Sequence, residues 1–548
     1  MPPSPVHHRV TDRDSTGLDV LLVGLDGVDR AVLQPHLDAD RVPTIASILE
    51  RGAVSDLESQ IPPWTPSAWP SLYTGVNPGK HGVFDFLAFD GYDWRLVDRS
   101  DVFAHSLWEL LDLHGRRSVV VNVPVTSPPR SFDGALVPGY IAPDAPTCHP
   151  DGLLAELQAE LGDYRVYPPR DIDEAEKREW YRRLVEMRGD AFRYLADRFD
   201  PAFGFLQFQQ TDTVFHERPD DTAVVADIFE AVDEQLRATI DRCDPDTVFL
   251  VSDHGIGPYE GAEFRVNEYL RDIGRLETTT GDGGMPSWTA LARERDGTET
   301  HSPLQRVLEV ASRFGVTSQR LQPILETLRL DQLALRYVSS DTVRAATERV
   351  DFPESTAYMR SRTEVGVRLN VAGREPEGVI PASEYDQVRT ALMEELRAVE
   401  SPDGTPVFEQ VAPRETFFDG PFTENAVDIV TIPADWQHYL SASLRGERFA
   451  EPRTAWNHKR TGIIAAAGEG IDTAVSADAP HLFDVAPTVL SALGHPPSSR
   501  MDGRPLDWVE AIDPAAYPPF ARADTEPADT GAVEERLAAL GYLHTNEH

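Results

Sequence analysis

Five side chains of the types that ligate metals follow short apolar runs, at the points where predicted strands end. They are Asp26, Asp212, His216, Asp253 and His254. The carboxyl ends of parallel strands form the edge at which open α/β sheets bind ligands, so these side chains are expected to lie close together. Carboxylate and imidazole together suit zinc, manganese or iron better than magnesium or calcium. The pattern therefore predicts a metal centre at one edge of a sheet.

Each of these residues also has an ordinary structural interpretation. An aspartate after a strand is commonly a helix cap or a turn residue, which would account for Asp26 alone. A pair such as Asp253-His254 is commonly a turn. Asp212 and His216 are four residues apart and share one face only if their segment is helical. The placement of the whole set at three strand ends is what favours a ligand set.

A hydroxyl that could act as a nucleophile stands in the segment Trp64-Thr65-Pro66. We predict Thr65 as the N-cap of a helix and Pro66 as its first residue. A helix N-terminus has free N–H groups and a positive dipole end, so it is a place for phosphate. A metal there can lower the pKa of a hydroxyl and make it a nucleophile. From this segment alone, a plain capping threonine is the simpler interpretation.

The candidate site needs a scaffold that alternates strands and helices. Buried strands are predicted at residues 19–26, 118–123, 203–208, 246–252 and 461–468. Helices are predicted at residues 41–52, 106–115, 173–199, 222–242, 383–399 and 484–494. This alternation predicts an α/β fold with a doubly wound, mostly parallel sheet that has helices on both faces.

A change of composition after about residue 275 predicts an interruption of this core. Residues 278–300 are rich in Thr, Gly and Asp, and residues 302–347 predict amphipathic helices. The predicted division is a polar leader at 1–17, an α/β core at 18–275 and 435–510, an insertion or cap at 276–434, and a linker with a C-terminal helix at 511–548. We expect the cap to cover the metal edge and to set specificity.

Composition limits the kinds of partner. With 51 Lys and Arg against 91 Asp and Glu, the net charge of −40 disfavours nucleic-acid polymers and membrane surfaces. Only Lys80, Lys177 and Lys459 are lysines, and we interpret this acidic, lysine-poor chain as halophilic.

The two cysteines exclude a disulfide framework and a thiolate metal site. The sequence shows no signal-peptide pattern or long apolar run, which predicts a cytoplasmic location. The oligomeric state is not indicated.

The nucleophile candidate opens the segment Thr65-Pro-Ser-Ala-Trp-Pro-Ser-Leu-Tyr-Thr-Gly-Val-Asn-Pro-Gly-Lys-His-Gly82. This segment resembles the nucleophile segment of the alkaline phosphatase superfamily, most closely that of its type I phosphodiesterase/nucleotide pyrophosphatase branch. The family has Asp, a Thr nucleophile, Asp-x-x-x-His, Asp-His and a distant His in this order. The chain has the same order, with His458 as the candidate last His. Segments 368–378 and 501–506 are also similar to cytoplasmic prokaryotic members.

The resemblance implies an alkaline phosphatase-like core and two divalent metal ions. The implied ligand sets are Asp212, His216 and His458 for one metal and Asp26, Asp253, His254 and Thr65 for the other. Zinc is the first expectation, with manganese or iron as alternatives. Thr65 would attack the phosphorus of a small anionic phosphoester and form a phosphothreonine, which water then hydrolyses. The implied activity is that of a phosphodiesterase or nucleotide pyrophosphatase.

One position departs from the pattern of the nucleotide pyrophosphatases. They have an asparagine shortly after the nucleophile that stabilises a phosphate oxygen, and this chain has Phe86 there. Lys80 and Asn122 are candidate replacements as substrate-binding residues, with a solvated lysine and a turn asparagine as the structural alternatives. Arg374 could contact a second anionic group, but a structural ion pair is the preferred interpretation in so acidic a chain.

Other functions stay open. Within the superfamily, a phosphomonoesterase, a phosphonate hydrolase or a phosphomutase would use a similar site. Sulfatases are disfavoured, because they need Cys or Ser where this chain has Thr65. A catalytically silent metal-binding protein is the alternative of another class, and its signature would be the loss of one of the implied ligands.

Overall fold

A computed structural model describes residues 17–169, 172–280 and 348–522 of the chain. Three predicted segments lie outside the described residues: nearly all of the leader, the helices of 302–347 and the C-terminal helix. The helices are α1 (Arg30–Asp38), α2 (Pro43–Arg51), α3 (Thr65–Thr74), α4 (Pro78–His81), α5 (Leu107–Asp112), α6 (Leu153–Leu161), α7 (Glu174–Phe199), α8 (Gln210–Glu217), α9 (Thr222–Cys243), α10 (Val266–Asp272), α11 (Tyr385–Arg397) and α12 (Val485–Ala492).

The strands differ in length and belong to one large and several small sheets. They are β1 (Val20–Leu25), β2 (Ala53–Glu58), β3 (Leu87–Asp90), β4 (Asp93–Leu96), β5 (Ser118–Val121), β6 (Gly134–Val137), β7 (Phe203–Phe208), β8 (Thr247–Val251), β9 (Gly255–Pro258), β10 (Glu263–Arg265), β11 (Glu277–Thr280), β12 (Glu348–Asp351), β13 (Ala357–Tyr358), β14 (Gly366–Leu369), β15 (Phe408–Pro413), β16 (Ile429–Pro433), β17 (Tyr439–Ser441), β18 (Phe449–Ala450), β19 (Trp456–Lys459) and β20 (Thr461–Gly468).

The central sheet has seven strands in the order β2-β20-β8-β1-β7-β5-β6. β1 pairs in parallel with β7 and β8, and β5 pairs in parallel with β7 and β6. β20 pairs antiparallel with both of its neighbours. The predicted, mostly parallel sheet is confirmed, and all five predicted strands lie in it. The two edge strands β2 and β6 were not predicted.

Helices cover both faces of this sheet, as predicted. Along β1, Val20 and Leu22 pack into the core under α3, α5 and α12, whereas Leu21 and Val23 pack into the core under α2, α7 and α9. Successive side chains of a strand point to opposite faces, so one apolar run can serve two cores. The sheet is therefore doubly wound.

The described part of the predicted insertion packs on the α3 face. It contains the four-stranded sheet β13-β14-β16-β15 and the helix α11. Buried side chains of these elements, such as Val367 and Leu392, belong to the same apolar core as Trp69 of α3. The division into core and cap stays a prediction. In the described part of the chain, no helix combines the length and the apolarity that crossing a membrane requires.

Candidate active site

Asp26 follows β1, the central one of three strands that end at the site, and it is fully buried. Its Oδ2 accepts hydrogen bonds from Trp69 Nε1 at 2.9 Å and from Gln207 Nε2 at 2.7 Å. Its Oδ1 lies 3.4 Å from Thr65 Oγ1 and 3.6 Å from His254 Nε2. One oxygen of the carboxylate is thus held by the scaffold, and the other faces the predicted site residues.

Asp253 and His254 follow β8, and both side chains are fully buried. His254 Nδ1 donates to the carbonyl oxygen of Gly255 at 2.9 Å. In a neutral ring this leaves the lone pair on Nε2, the arrangement typical of a metal-ligating histidine. Nε2 lies 3.2 Å from Asp253 Oδ2. The ends of β1 and β8 therefore present two carboxylates to one imidazole nitrogen.

The third part of the site comes from α8, which follows β7, and from β19. His216 Nε2 lies 3.2 Å from Asp212 Oδ1, so these two residues share one helix face, as expected. His458 Nε2 lies 3.6 Å from the same Asp212 oxygen and 3.1 Å from His216 Nε2. His458 Nδ1 donates to the carbonyl oxygen of Pro63 at 2.9 Å, which again directs Nε2 to the cluster.

Among the described residues, two groups of three side chains could each hold a metal ion, because the ligand atoms within each group lie within 4.8 Å of one another. The groups are Asp212, His216 and His458, and Asp26, Asp212 and His254. The rings of His254 and His458 stack with centroids 3.6 Å apart, so the groups are contiguous. Asp212 lies in both groups, which the sequence did not indicate. The resemblance implies Asp253 as a ligand of the second metal, but Asp253 is not a member of the group Asp26, Asp212 and His254. It contacts that group through His254, whose Nε2 lies 3.2 Å from Asp253 Oδ2.

The electrostatics of the cluster follow from its burial. Burial and the charges of Asp253 and Asp212 raise the pKa of Asp26 well above its usual value. Burial and Asp212 likewise raise the pKa of Asp253. Burial lowers the pKa of His254 to about 4, and burial together with His254 and His216 lowers the pKa of His458. These two imidazoles are neutral near pH 7, which is the form that binds metals.

The donor set fits metal ions. Oδ1 of Asp212 and Oδ2 of Asp253 are buried and have no hydrogen-bond partner among the described residues. A buried carboxylate oxygen in this state is costly unless a cation compensates it. Divalent cations bound between these oxygens and the imidazole nitrogens would provide that compensation and relieve the repulsion among the carboxylates.

Thr65 lies at the start of α3 and is 1% exposed. Its Oγ1 lies 3.4 Å from Asp26 Oδ1 and 3.3 Å from His254 Nε2. The prediction of Thr65 as N-cap is wrong by one residue: Trp64 is the N-cap, and Pro66 is the second helical residue. Proline is tolerated there because the N–H groups of the first turn have no partner within the helix. The Thr65 hydroxyl therefore faces the cluster rather than capping the helix.

The two proposed phosphate contacts bind other parts of the protein. Lys80 forms an ion pair with Asp502 and donates to the carbonyl oxygen of Arg500 at 3.2 Å. Asn122 Nδ2 donates to Gln207 Oε1 at 2.7 Å, so Asn122 supports Asp26 through Gln207. Contacts of Lys80 and Asn122 with phosphate stay predictions.

Two residues that position Asp26 were missed in the sequence. Gln207 is a polar residue in the apolar run of β7, and this break in the pattern was the available signal. Trp69 stands four residues after Thr65, on the same face of α3. A tryptophan beside a helix start is commonly a core residue, and no pattern in the sequence indicates that its indole N–H would bind Asp26.

Comparisons with known proteins bear on the family and the fold of the chain. The sequence pattern of type I phosphodiesterase / nucleotide pyrophosphatase matches residues 20–463. A search of curated proteins found no match. Phosphonoacetate hydrolase from Sinorhizobium meliloti 1021, solved in complex with phosphonoformate, has a TM-score of 0.53 at 17% identity, and the alignment covers 87% of this chain and 95% of that chain. Murine ectonucleotide pyrophosphatase / phosphodiesterase 5 has a TM-score of 0.45 at 12% identity, with 91% and 97% covered.

The family match extends over most of the chain, from β1 to β20, and includes every predicted ligand. The S. meliloti structure shows that the fold is shared. The predicted fold and the predicted family are therefore both confirmed. The chain belongs to the type I phosphodiesterase/nucleotide pyrophosphatase family.

Proposed function

We propose that this protein is a two-metal phosphoester hydrolase of the phosphodiesterase or nucleotide pyrophosphatase type, with Thr65 as the nucleophile. The observation that carries the proposal is the position of Thr65 Oγ1, 3.4 Å from Asp26 Oδ1 and 3.3 Å from His254 Nε2 at the start of a helix. The family supports action on phosphate esters, and the assignment of residues is our inference from the geometry.

The proposed metal ligands are the seven residues that the resemblance implies. They are Asp26, Thr65, Asp212, His216, Asp253, His254 and His458. When bound, two divalent ions would hold the oxygens of the phosphoryl group and lower the pKa of the Thr65 hydroxyl. Zinc is the first candidate because the set includes imidazoles, and manganese or iron are the alternatives.

Thr65 would act in two steps. Its Oγ1 forms a bond to phosphorus while the bond to the leaving oxygen breaks, and that oxygen departs with the electron pair and takes up a proton. The lone pair of His254 Nε2 would be used on the metal ion, so Asp26 Oδ1, 3.4 Å from Thr65 Oγ1, is the acceptor to which we assign the Thr65 proton. Water then attacks the phosphothreonine and restores the hydroxyl. The first turn of α3 provides N–H groups and a positive dipole end for the phosphoryl oxygens.

A comparison of Thr65→Ala with Thr74→Ala tests the nucleophile. Thr74 is a buried threonine on the same helix, and its hydroxyl donates to the carbonyl oxygen of Pro70. With zinc or manganese in molar KCl, we expect wild type and Thr74→Ala to hydrolyse bis(p-nitrophenyl) phosphate. Thr65→Ala should lose at least about a thousandfold in kcat. Chelation should abolish turnover.

Each other outcome has a defined meaning. Turnover by Thr65→Ala near the wild-type rate would refute the nucleophile assignment, and turnover by metal-free protein would refute the metal assignment. Faster hydrolysis of p-nitrophenyl phosphate than of the diester would identify a phosphomonoesterase. Protein that binds two metals but hydrolyses no ester of either kind would favour the catalytically silent alternative.

A further inference from the structure

Two buried hydroxyl side chains directly precede two of the proposed metal-binding aspartates. Thr211 precedes Asp212, and Ser252 precedes Asp253. Both hydroxyl residues are fully buried, so their hydrogen-bond partners lie within the protein. For both side chains, one partner is a backbone group of residues 26–28, the segment that directly follows β1. The three strand ends that bear the proposed site therefore meet at this segment.

The Thr211 hydroxyl joins the start of α8 to the end of β1. Thr211 is the second residue of α8, and its Oγ1 donates to the carbonyl oxygen of Asp26 at 2.7 Å. The same Oγ1 lies 3.1 Å from the carbonyl oxygen of Phe208, the last residue of β7. The N–H of Asp26 also donates to that Phe208 carbonyl, at 3.1 Å. One side chain thus holds the ends of β1 and β7 together.

The Ser252 hydroxyl joins the end of β8 to the same segment. Its Oγ accepts the N–H of Val28 at 2.8 Å and donates to the carbonyl oxygen of His254 at 2.6 Å. The single proton and a lone pair of this hydroxyl are therefore both used between two strand ends. The N–H of Gly27 makes a longer contact, 3.4 Å, with Oδ1 of Asp253. These bonds fix the position of the Asp253-His254 pair relative to β1.

Gly27 shows how closely the strand ends approach one another. Its φ of 66° lies in the left-handed region, which glycine adopts readily. A Cβ atom at this position would lie 2.8 Å from Oδ1 of Asp212. The segment after β1 therefore has no room for a side chain between its backbone and that carboxylate. Because the junction is close-packed, a change in either hydroxyl bond should move ligand atoms.

On the basis of the proposed function, we propose that Thr211 and Ser252 are positioning residues that set the spacing of the two proposed metal sites. Neither hydroxyl is a proposed ligand, but each fixes a strand end that carries one. Ligands that are held in place before the ion arrives lose little freedom on binding, which raises their affinity for the metal. Asp212 belongs to both candidate groups, so Thr211 should support both metals. Ser252 should support only the group that contains His254.

Two background variants of the full chain, each retaining one proposed metal, separate the two roles. His254→Ala keeps the first candidate group, and His216→Ala keeps the second. The members of these groups are Asp212, His216 and His458 in the first and Asp26, Asp212 and His254 in the second. Competition with a chromogenic chelator measures the zinc affinity that remains in each background. Circular dichroism of the metal-free variants measures Tm, which reports structural damage separately from metal affinity.

The two positioning residues should give different patterns of zinc affinity. Thr211→Val keeps the branched shape and removes the hydroxyl, and we expect it to lower the affinity about 10- to 100-fold in both backgrounds. Ser252→Ala should cause a loss of this size in the His216→Ala background and of less than about threefold in the His254→Ala background. Thr211→Ser keeps the hydroxyl and should stay within about threefold of the affinity that Thr211 gives.

Two buried hydroxyl residues outside the site provide matched controls. Ser355 Oγ accepts the N–H of Glu277 at 3.0 Å and donates to the carbonyl oxygen of Asp351 at 2.6 Å, the same pair of roles that Ser252 has. Thr488, on α12, has a buried hydroxyl that donates to a backbone carbonyl oxygen at 2.5 Å. Ser355→Ala and Thr488→Val should leave the zinc affinity unchanged in both backgrounds.

The positioning role and the proposed function fail in different ways. If wild type binds no zinc, the proposed function fails and the positioning role with it. If wild type binds two zinc ions and hydrolyses the diester, but Thr211→Val and Ser252→Ala bind zinc as tightly as the control variants, only the positioning role is overturned. An equal loss by Ser252→Ala in both backgrounds would overturn its assignment to the second group. If Thr211→Val does not fold, Ser252→Ala decides alone, because the proposal requires its loss in one background.

Discussion

The orientation of a single carboxylate depends on residues far apart in the sequence. Asp26 is held through Oδ2 by Trp69 from α3 and by Gln207 from β7, and Asn122 from the end of β5 in turn holds Gln207. These three donors leave Asp26 Oδ1 directed at Thr65. Residues that hydrogen-bond to a metal ligand fix its orientation, and replacing them commonly lowers the affinity for the metal. The proposed metal centre should therefore be sensitive to Trp69.

Replacing Trp69 by phenylalanine removes the indole N–H and keeps most of the apolar ring. We expect the affinity of the second proposed metal to fall about 10- to 100-fold, because Asp26 Oδ2 loses a donor at 2.9 Å. Competition with a chromogenic chelator measures this affinity. Trp108→Phe is the matched control, since Trp108 is a buried tryptophan in the same apolar core. Equal affinities in the two variants would contradict the role of Trp69.

At the scale of elements, a buried acid ties the insertion sheet together. Asp428 directly precedes β16, and its carboxylate accepts from Arg374 at 2.6 and 2.7 Å, from Arg414 at 3.0 Å and from the Tyr385 hydroxyl at 2.8 Å. The preferred interpretation of Arg374 as a structural ion pair is confirmed. Burial alone would raise the pKa of Asp428, but the bonds from Arg374 and the charges of Arg368, Arg374 and Arg414 lower it to about 2.

The lowered pKa makes this network a source of stability that depends on pH. The contribution is fully present above the unfolded-state pKa, near 4, and is lost as the pH falls towards about 2. Asp428→Asn should lower the free energy of unfolding by about 2–3 kcal/mol at pH 7, and the difference from wild type should narrow below about pH 4. Urea unfolding at several pH values measures both.

Asp386 provides the control for this pH dependence. It is exposed, pairs with Arg389 at the start of α11, and its replacement by Asn should change stability by less than about 1 kcal/mol. A difference between Asp428→Asn and wild type that stayed constant from pH 7 to pH 3 would contradict the argument. The effect would then come from packing rather than from the charge of Asp428.

The sequence predicts an element or a site residue when its pattern lies within one short segment, and misses it when its position depends on contacts between distant segments. The long apolar runs identify β1, β7 and β8, and the acidic residues that follow them identify Asp26, Asp212 and Asp253 as candidates. The short edge strand β6 and the half-exposed β2 have no such run. His458 was found only through the resemblance, because it reaches the site by the pairing of β19 with β9.

At the scale of the whole molecule, a strongly acidic chain has to attract an anionic substrate. The net charge of −40 repels anions at long range, and salt screens that repulsion beyond about 3 Å in 1 M salt. At short range, the proposed metals would supply a local positive field. We therefore expect substrate binding to be strongest at high ionic strength, where the distant acidic surface is screened and the buried site is not.

The same charge predicts how stability depends on salt. A net charge of −40 on one chain destabilises the folded state by self-repulsion, and added salt weakens that repulsion. We expect Tm to rise by several degrees between about 0.2 M and 2 M KCl, with most of the rise below about 1 M, where the screening length has already fallen to about 3 Å. Thermal unfolding followed by circular dichroism measures the curve. NaCl at the same concentration should give the same rise, because screening depends on ionic strength. A Tm that is flat or falls over this range would show that the acidic surface is not an adaptation to salt.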